Sequence, residues 1–270
     1  MSAAIDWAGR SRQPCPICDR GAKDRSCGVT IEHDGSGVAH CFRCGYVETT
    51  RGDVRPGLCL APKTKQQHET LSDYGREMWA ACRPLGGEAL AYLEARSCVI
   101  PPTDGDLRWH PALRHPPSGL SGPALVALVT DAVTCQPMTL HRTWILADGK
   151  KAAVEPPRML LGGHRKTGGV VRLWPETDFG ASLGIAEGIE TALSLAHEFR
   201  PMWACVDAAN LAAFPVIAYT RLLMIAADHD DAGIKAAEAC AGRWAASGCE
   251  VRVVMSELPG ADLNDLAMAA

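Results

Sequence analysis

The chain has 270 residues, with 47% apolar and 21% charged residues and a net charge of −4, which fits about two globular domains and excludes a wholly disordered chain. Its longest strongly apolar run, Leu222 to Ala227, is far short of the ~20 residues a membrane span needs, and the opening MSAAIDWAGRSRQPCP has no apolar core of a signal peptide. Twelve cysteines without a secretory signal predict a reducing, cytoplasmic compartment, where paired cysteines hold metal more often than they form disulfides.

The first segment, 1–50, carries Cys15-Pro16-Ile17-Cys18 and Cys41-Phe42-Arg43-Cys44, two pairs separated by 22 residues. A two-residue gap lets both thiolates of a pair turn toward one ion, and two such knuckles complete a tetrahedral zinc shell. Gly45 allows the tight turn after the second pair. GVTIEH and VAHCF alternate around the turn signal DGSG, which predicts a hairpin of the zinc-ribbon kind. Cys27, His33 and His40 are further ligand types nearby. So short a segment depends on its metal for much of its folding free energy.

Residues 51–70 are polar and without periodicity, and read as a linker. In the next segment, 71–178, Ser72 is set to cap a helix over SDYGREMWAAC, and a second helix is expected in EALAYLEARSC, with Leu90, Leu93 and Ala95 on its apolar face. ALVALVT and PMTLHRTWIL read as strands, as do the short RMLLG and GVVRLW that flank the basic loop GHRKTGG. From 179 to 270 short apolar runs alternate with helical stretches: SLGIAE, GIETALSLAHEF, PMWACVD, NLAAF, RLLMIAADHD, DAGIKAAEACAGRWAASG and CEVRVVMSE. That is a βαβ series. The expected architecture is α/β, with a zinc ribbon, a mixed α+β basic subdomain and a C-terminal Rossmann-like parallel sheet.

Functional residues of such sheets gather at the C-terminal strand ends. Those ends carry Glu187, Asp207, Asp228 and Asp230, with Asp262 and Asp265 just after the last strand. Asp228 and Asp230 form a DxD pair whose side chains point the same way on an extended backbone. Hard oxygen donors suit Mg²⁺ or Mn²⁺, which bridge to phosphate oxygens. Charge is distributed to match. Residues 1–175 hold 22 Lys/Arg against 17 Asp/Glu, and 176–270 hold 5 against 14, a basic face for a polyanion beside an acidic cluster for cations. Within the basic middle, Arg142, Lys150, Lys151, Arg158, Arg165, Lys166 and Arg172 face only Asp148 and Glu155 in number. Trp109 and Trp144 lie near these cations, where they either stack on bases or pack in the core.

The EG pair at Glu187, the DHDDAG run and the later DLND, in that order over about 182–267, resemble the Toprim domain of topoisomerases, bacterial-type primases, certain nucleases and RecR-type mediators. That resemblance implies that Glu187, Asp228 and Asp230 are catalytic and that these three with Asp262 hold magnesium. Replicative primases carry an aspartate four residues after the glutamate, where Thr191 stands here. EGIETALS resembles the subgroup found in phage, plasmid and mobile-element primases, and Glu190 either joins the metal site from the same helical face in place of the acid missing at Thr191 or is a solvated helix glutamate. The segment LRWHP to GGVVRL resembles the polymerising subdomain of those primases, which implies nucleotide-phosphate contacts for Arg158 and Lys166. Zinc ribbon, basic middle and Toprim in that order imply a DNA primase that makes RNA primers from NTPs on single-stranded DNA. One structural Zn²⁺, a catalytic Mg²⁺ or Mn²⁺, no membrane and a replicative helicase acting in trans go with it. A RecR-like mediator without catalysis and a Toprim nuclease are the alternatives. A type I topoisomerase is not favoured, since nothing marks Tyr46, Tyr74, Tyr92 or Tyr219 as a nucleophile.

Overall fold

The computed structural model describes residues 4–7, 12–18, 20–21, 24–31, 35–51, 67–178 and 180–269. The chain divides into two compact units, Met1–Lys65 and Gln66–Ala270.

In the first unit, β1 (Arg12–Gln13), β2 (Cys27–Ile31), β3 (Gly37–Cys41) and β4 (Val47–Thr50) form an antiparallel sheet in that order. The β2–β3 hairpin pairs Cys27 with Cys41 and Ile31 with Gly37. Asp34 of the expected turn, His33 and residues 52–66 of the expected linker lie outside the described residues. The second cysteine knuckle closes through Gly45, whose amide donates to the Cys41 carbonyl at 3.0 Å and whose φ of 72° is a left-handed value glycine adopts freely. The buried apolar set is small: Ile5, Cys15, Cys27, Ala39 and Cys41.

The second unit opens with α1 (Asp73–Ala80) and α2 (Gly87–Ala95). Ser72 caps α1, its hydroxyl accepting from the Gly75 amide at 3.3 Å. In α2 the buried face is Ala89, Tyr92 and Leu93 rather than Leu90, Leu93 and Ala95; Ala95 is exposed. Five strands follow: β5 (Leu107–Arg114), β6 (Ser121–Asp131), β7 (Pro137–Trp144), β8 (Arg158–Leu160) and β9 (Gly169–Arg172). Then come β10 (Ser182–Ala186), α3 (Ile189–Leu195), β11 (Met202–Ala204), α4 (Ala208–Ala213), β12 (Leu222–Ala227), α5 (Asp231–Ala246), β13 (Glu250–Met255) and α6 (Leu263–Ala269).

All nine strands of this unit belong to one sheet, in the order β13-β12-β10-β11-β9-β6-β7-β8, with β5 along β6. The pairs β10–β11, β10–β12 and β12–β13 are parallel, as the βαβ alternation predicts. The β9–β11 and β6–β9 pairs are antiparallel, so the basic segment and the C-terminal segment are hydrogen-bonded into one surface. One core joins Tyr92 and Leu93 of α2 with Leu193 of α3, Val129, Val171 and Ala204. A second packs Leu211, Phe214, Ala237 and Trp244 against Leu183, Ile185 and Trp203. Trp109 and Trp144 are buried, and the Trp144 indole donates to the Leu113 carbonyl at 2.9 Å, so both serve the core.

Two members of the basic run are also interior. Arg142 is buried and donates to the Leu160 carbonyl at 2.9 Å. Arg172 lies over the Trp203 ring and donates to the Thr130 hydroxyl and to the carbonyls of Asp131 and Ala132. Beside it, burial pushes the Asp106 carboxyl up to about 6, with Arg172 opposing. A carboxyl raised in the folded state makes stability fall as pH rises from its unfolded value to the raised one. Asp106→Asn should therefore remove a loss of on the order of 2 kcal/mol between pH 4 and pH 7. Parallel denaturant unfolding of the two proteins across that range measures it, and identical pH profiles would refute it.

Candidate functional site

The first candidate site is the cysteine set. The Sγ atoms of Cys15, Cys18, Cys41 and Cys44 all lie within 4.8 Å of one another, the one such group of His, Cys, Asp or Glu among the described residues. Cys15 and Cys44 are 3.6 Å apart and Cys18 and Cys41 3.8 Å, far longer than a disulfide bond. A tetrahedral shell with Zn–S bonds of about 2.3 Å has S···S edges of about 3.8 Å, so the residues fit such an ion. Electrostatics agrees. The backbone amide of Cys44 draws the Cys41 thiol down to about 6, whereas hydrogen bonding to Cys44 and then burial push Cys18 up to about 12. Four thiolates do not coexist at this distance without a cation. Cys27 is not part of the set, and His40 instead meets the Phe42 ring edge-on at 4.9 Å.

The second candidate site lies at the C-terminal ends of the parallel strands. A cavity of about 130 Å³ there is lined by the acids Glu187, Glu190, Asp228 and Asp262 and by the cations Arg96, Lys151 and Arg158. Each acid is placed by a strand or helix end. Glu187 follows β10, and Asp228 follows β12, where the apolar run stops. The first turn of α5 presses on that strand end: a Cβ on Gly233 would stand 2.4 Å from the Asp228 carbonyl oxygen. Asp262 opens α6 in a reciprocal cap with Asp265, at 2.9 and 3.2 Å. Asn264, fully buried, ties α6 to the Arg96 carbonyl at 2.7 Å and the Ser194 hydroxyl at 2.9 Å.

The carboxylates repel one another. Burial, then Asp228 and Asp230, push Glu187 up to about 7. Asp228 is raised by burial and then by Asp262 and Asp230, with a Thr191 hydrogen bond opposing. Its Oδ1 is buried and has no hydrogen-bond partner. An unpartnered buried carboxylate oxygen among mutually repelling acids fits a divalent cation.

The two aspartates of the DxD pair do not act alike. Strand β12 ends at Ala227, and Asp230 is the N-cap of α5, its Oδ1 accepting from the Gly233 amide at 2.7 Å. Asp228 alone of the two lines the cavity. Glu190 departs further from expectation. It is buried rather than solvated, and the Tyr92 phenol, 98 residues earlier, donates to its Oε1 at 2.9 Å. Lys166 does not line the cavity. Its Nζ pairs with Asp207 Oδ2 at 2.7 Å, and Asp207 in turn bears on Glu187. The glycine-rich loop is clamped by Asn210, whose side chain bonds Lys166, Gly168 and Gly169 at 3.0 to 3.3 Å. Sequence places Lys151 only within the basic run and does not single out His141. Lys151 lines this cavity, and His141 lines an adjoining recess with Arg158 and Glu187. Among the described residues, no ion pair joins Lys151 or Arg158 to any acid.

Residues 182–270 match the family model of the Toprim domain, and residues 69–173 match a domain of unknown function, DUF7146. No curated protein matches the chain. Among solved structures, a DNA primase domain from Pseudomonas aeruginosa is similar at 15% identity and TM-score 0.38, over 68% of this chain and 56% of that one. The Aquifex aeolicus primase, with zinc binding and RNA polymerase domains, is similar at 18% and 0.43, over 67% and 52%. The primase fragment of the bacteriophage T7 primase-helicase protein is similar at 15% and 0.44, over 96% and 95%. This chain spans little more than half the length of the first two. No helix among the described residues is long and apolar enough to cross a membrane.

Proposed function

We propose that this chain, whose residues 182–270 are a Toprim domain, is a DNA primase that joins ribonucleoside triphosphates into short RNA primers on single-stranded DNA. One observation supports the reading: Lys151 and Arg158 of the basic segment, in no ion pair among the described residues, line one cavity of about 130 Å³ together with Glu187, Asp228 and Asp262. A metal-bound triphosphate has the complementary charges, its phosphates for the cations and its metal for the acids. Arg158 lies on β8, and Glu187 and Asp228 directly follow β10 and β12 of the same sheet, which fixes the spacing of these three.

In this reading Glu187, Asp228, Asp230 and Asp262 hold Mg²⁺ or Mn²⁺, and Asp228 offers its free Oδ1. A bound divalent cation supplies neutralisation of the phosphate oxygens during in-line transfer. Arg158 and Lys151 bind the triphosphate and offset its charge as the primer 3′-hydroxyl attacks the α-phosphorus and pyrophosphate leaves. No protein nucleophile is needed. Thr191 orients Asp228 through their hydrogen bond. Lys166, held by Asp207, stands at the rim. The cysteine set holds a structural Zn²⁺, and the ribbon engages template. A replicative helicase would be its partner.

The test is incubation with single-stranded DNA, labelled NTPs and Mg²⁺ or Mn²⁺. Short labelled products are expected. Template cleavage instead would make the chain a nuclease, and DNA binding without either a mediator.

Arg158→Ala should raise the NTP KM by about tenfold, the loss of one charge-assisted contact of roughly 1.4 kcal/mol, with template affinity little changed. Lys166→Ala should act in the same direction but less, because Asp207 already occupies its ammonium. Steady-state NTP titrations beside DNA-binding isotherms separate the two effects, and unaltered NTP use in both variants would remove these residues from the site.

A further inference from the structure

Of the described residues of α6, Asn264 alone is buried, and its side chain is an amide. Leu263 packs only partly against the core, while Leu266 and Met268 face solvent. The helix is therefore held by directed bonds more than by apolar area. Asn264 Nδ2 donates to the Arg96 carbonyl at 2.7 Å and to the Ser194 hydroxyl at 2.9 Å, with the Cys98 sulfur at 3.5 Å. The Arg96 carbonyl can only accept, which fixes the orientation of the amide. Ser194 passes the contact on, its hydroxyl donating to the Glu190 carbonyl at 3.0 Å.

These bonds join three helices at the points where each supplies a residue to the acid-lined cavity. Arg96 is the C-cap of α2, Glu190 and Thr191 lie in the first turn of α3, and Asp262 stands two residues before Asn264. Asn264 itself is outside the lining. Among the described residues, its buried Oδ1 has no hydrogen-bond partner. That orphan oxygen costs stability, which an apolar side chain at the same place would avoid. An apolar contact has no direction, however, and lets a short helix slide. A slip of one residue turns the side chains of α6 by about 100° and takes Asp262 off the cavity. A buried amide prevents this by fixing register at some expense of stability, as it does in coiled coils.

We propose that Asn264 is a positioning residue of the cation site: its amide sets the register of α6 against α2 and α3, so that Asp262 meets Glu187 and Asp228 at one divalent cation. The proposal rests on the reading of Asp262 as a ligand of that cation. Asn264 acts through Asp262 and not on the ion.

The test uses the full chain and readouts that need no turnover. Mn²⁺ binding without nucleotide is followed by electron paramagnetic resonance, beside thermal unfolding in EDTA. Asn264→Leu keeps the shape of the side chain and removes both the donors and the orphan oxygen. It should stay folded, with an unfolding temperature lowered by a few degrees. Well below that temperature it should bind Mn²⁺ about tenfold more weakly. Asp262→Asn should weaken Mn²⁺ binding at least as much. Adding Asn264→Leu to Asp262→Asn should change the affinity by less than about twofold, because the amide acts through that carboxylate. Ser194→Ala, which deletes one partner of the amide, should weaken binding in the same direction by less.

Wild-type Mn²⁺ affinity in Asn264→Leu would make the amide a purely structural tie and overturn the proposal. So would additive losses in the double variant, or unaltered binding in Asp262→Asn. If Asn264→Leu does not fold, Ser194→Ala takes its place in the cycle, and an unchanged affinity there overturns the proposal equally. A wild-type chain whose Mn²⁺ binding is weakened by Asp228→Asn, but which makes no primers, fails the primase reading and leaves this inference standing. Mn²⁺ binding indifferent to Asp228→Asn overturns this inference together with the metal reading of the cavity.

Discussion

On the proposed primase reading, Asp228→Asn should abolish primer synthesis and leave the metal-free protein as stable as the wild type, or more so. The expectation follows from two observations. Asp228 Oδ1 is buried without a hydrogen-bond partner, and its carboxyl is raised by burial and by the charges of Asp262 and Asp230. Each close carboxylate pair costs on the order of 1 kcal/mol where water screens it and more where water is excluded. An amide removes that repulsion while nearly preserving shape. The folded state holds the Asp228 proton more tightly than the unfolded one, so this group's penalty grows as pH rises above the ordinary carboxylate range. The stabilisation in EDTA should thus be larger at pH 8 than at pH 4. In the proposed role the cation would lose a charged ligand in the same variant, and transfer should fall by at least about 10³-fold, as when other preorganised charge stabilisers are removed. DNA binding should persist, since the basic residues are untouched. Asp230→Asn should also lose synthesis but keep the α5 cap, because Asn caps as well as Asp. Primer assays beside thermal unfolding in EDTA decide the matter. Normal primer yield, or a large drop in metal-free stability, would show that these aspartates hold the fold and not the cation.

Cys41→Ser should release the zinc proposed for the four-cysteine set and unfold the four-stranded sheet, while the unit Gln66–Ala270 stays folded. Among the described residues of the ribbon, three of the five buried apolar ones are cysteines, and two of these, Cys15 and Cys41, belong to the four-cysteine set. Ile5 and Ala39 cannot replace a core of that kind. Structural zinc contributes on the order of 10 kcal/mol in small domains, more than such a core supplies. The C-terminal unit has its own cores on both faces of a nine-stranded sheet and does not draw on that ion. Elemental analysis with limited proteolysis is the measurement. Loss of zinc together with a protease-resistant fragment beginning near residue 66 is expected. Full zinc occupancy in the variant would sink the four-cysteine assignment.

Much of this arrangement is legible in the linear sequence because the determinants are local. Two CxxC pairs state their own geometry, since each two-residue gap turns both thiols of a pair the same way, and the four Sγ atoms gather within 4.8 Å. The βαβ alternation places Glu187 and Asp228 at strand ends because an apolar run that stops at an acid marks where the sheet meets water. Ser72 caps α1 for an equally local reason. Strand β5 was less visible: Pro111 interrupts it, and the register shifts between His110 and Leu113.

What only the tertiary structure decided is which members of a charge run face which surroundings. Arg142 and Arg172 belong to the interior, Lys166 to Asp207 and Lys151 to the cavity, though all four stand in one basic stretch of sequence. Glu190 is buried because α2 packs beside α3 and brings Tyr92 to it across 98 residues. Asn264 closes the same corner from α6. Composition and spacing are blind to such contacts. A charged side chain's role depends on the partner and the dielectric that long-range packing supplies, and a sheet continuing from β9 into β11 fixes both.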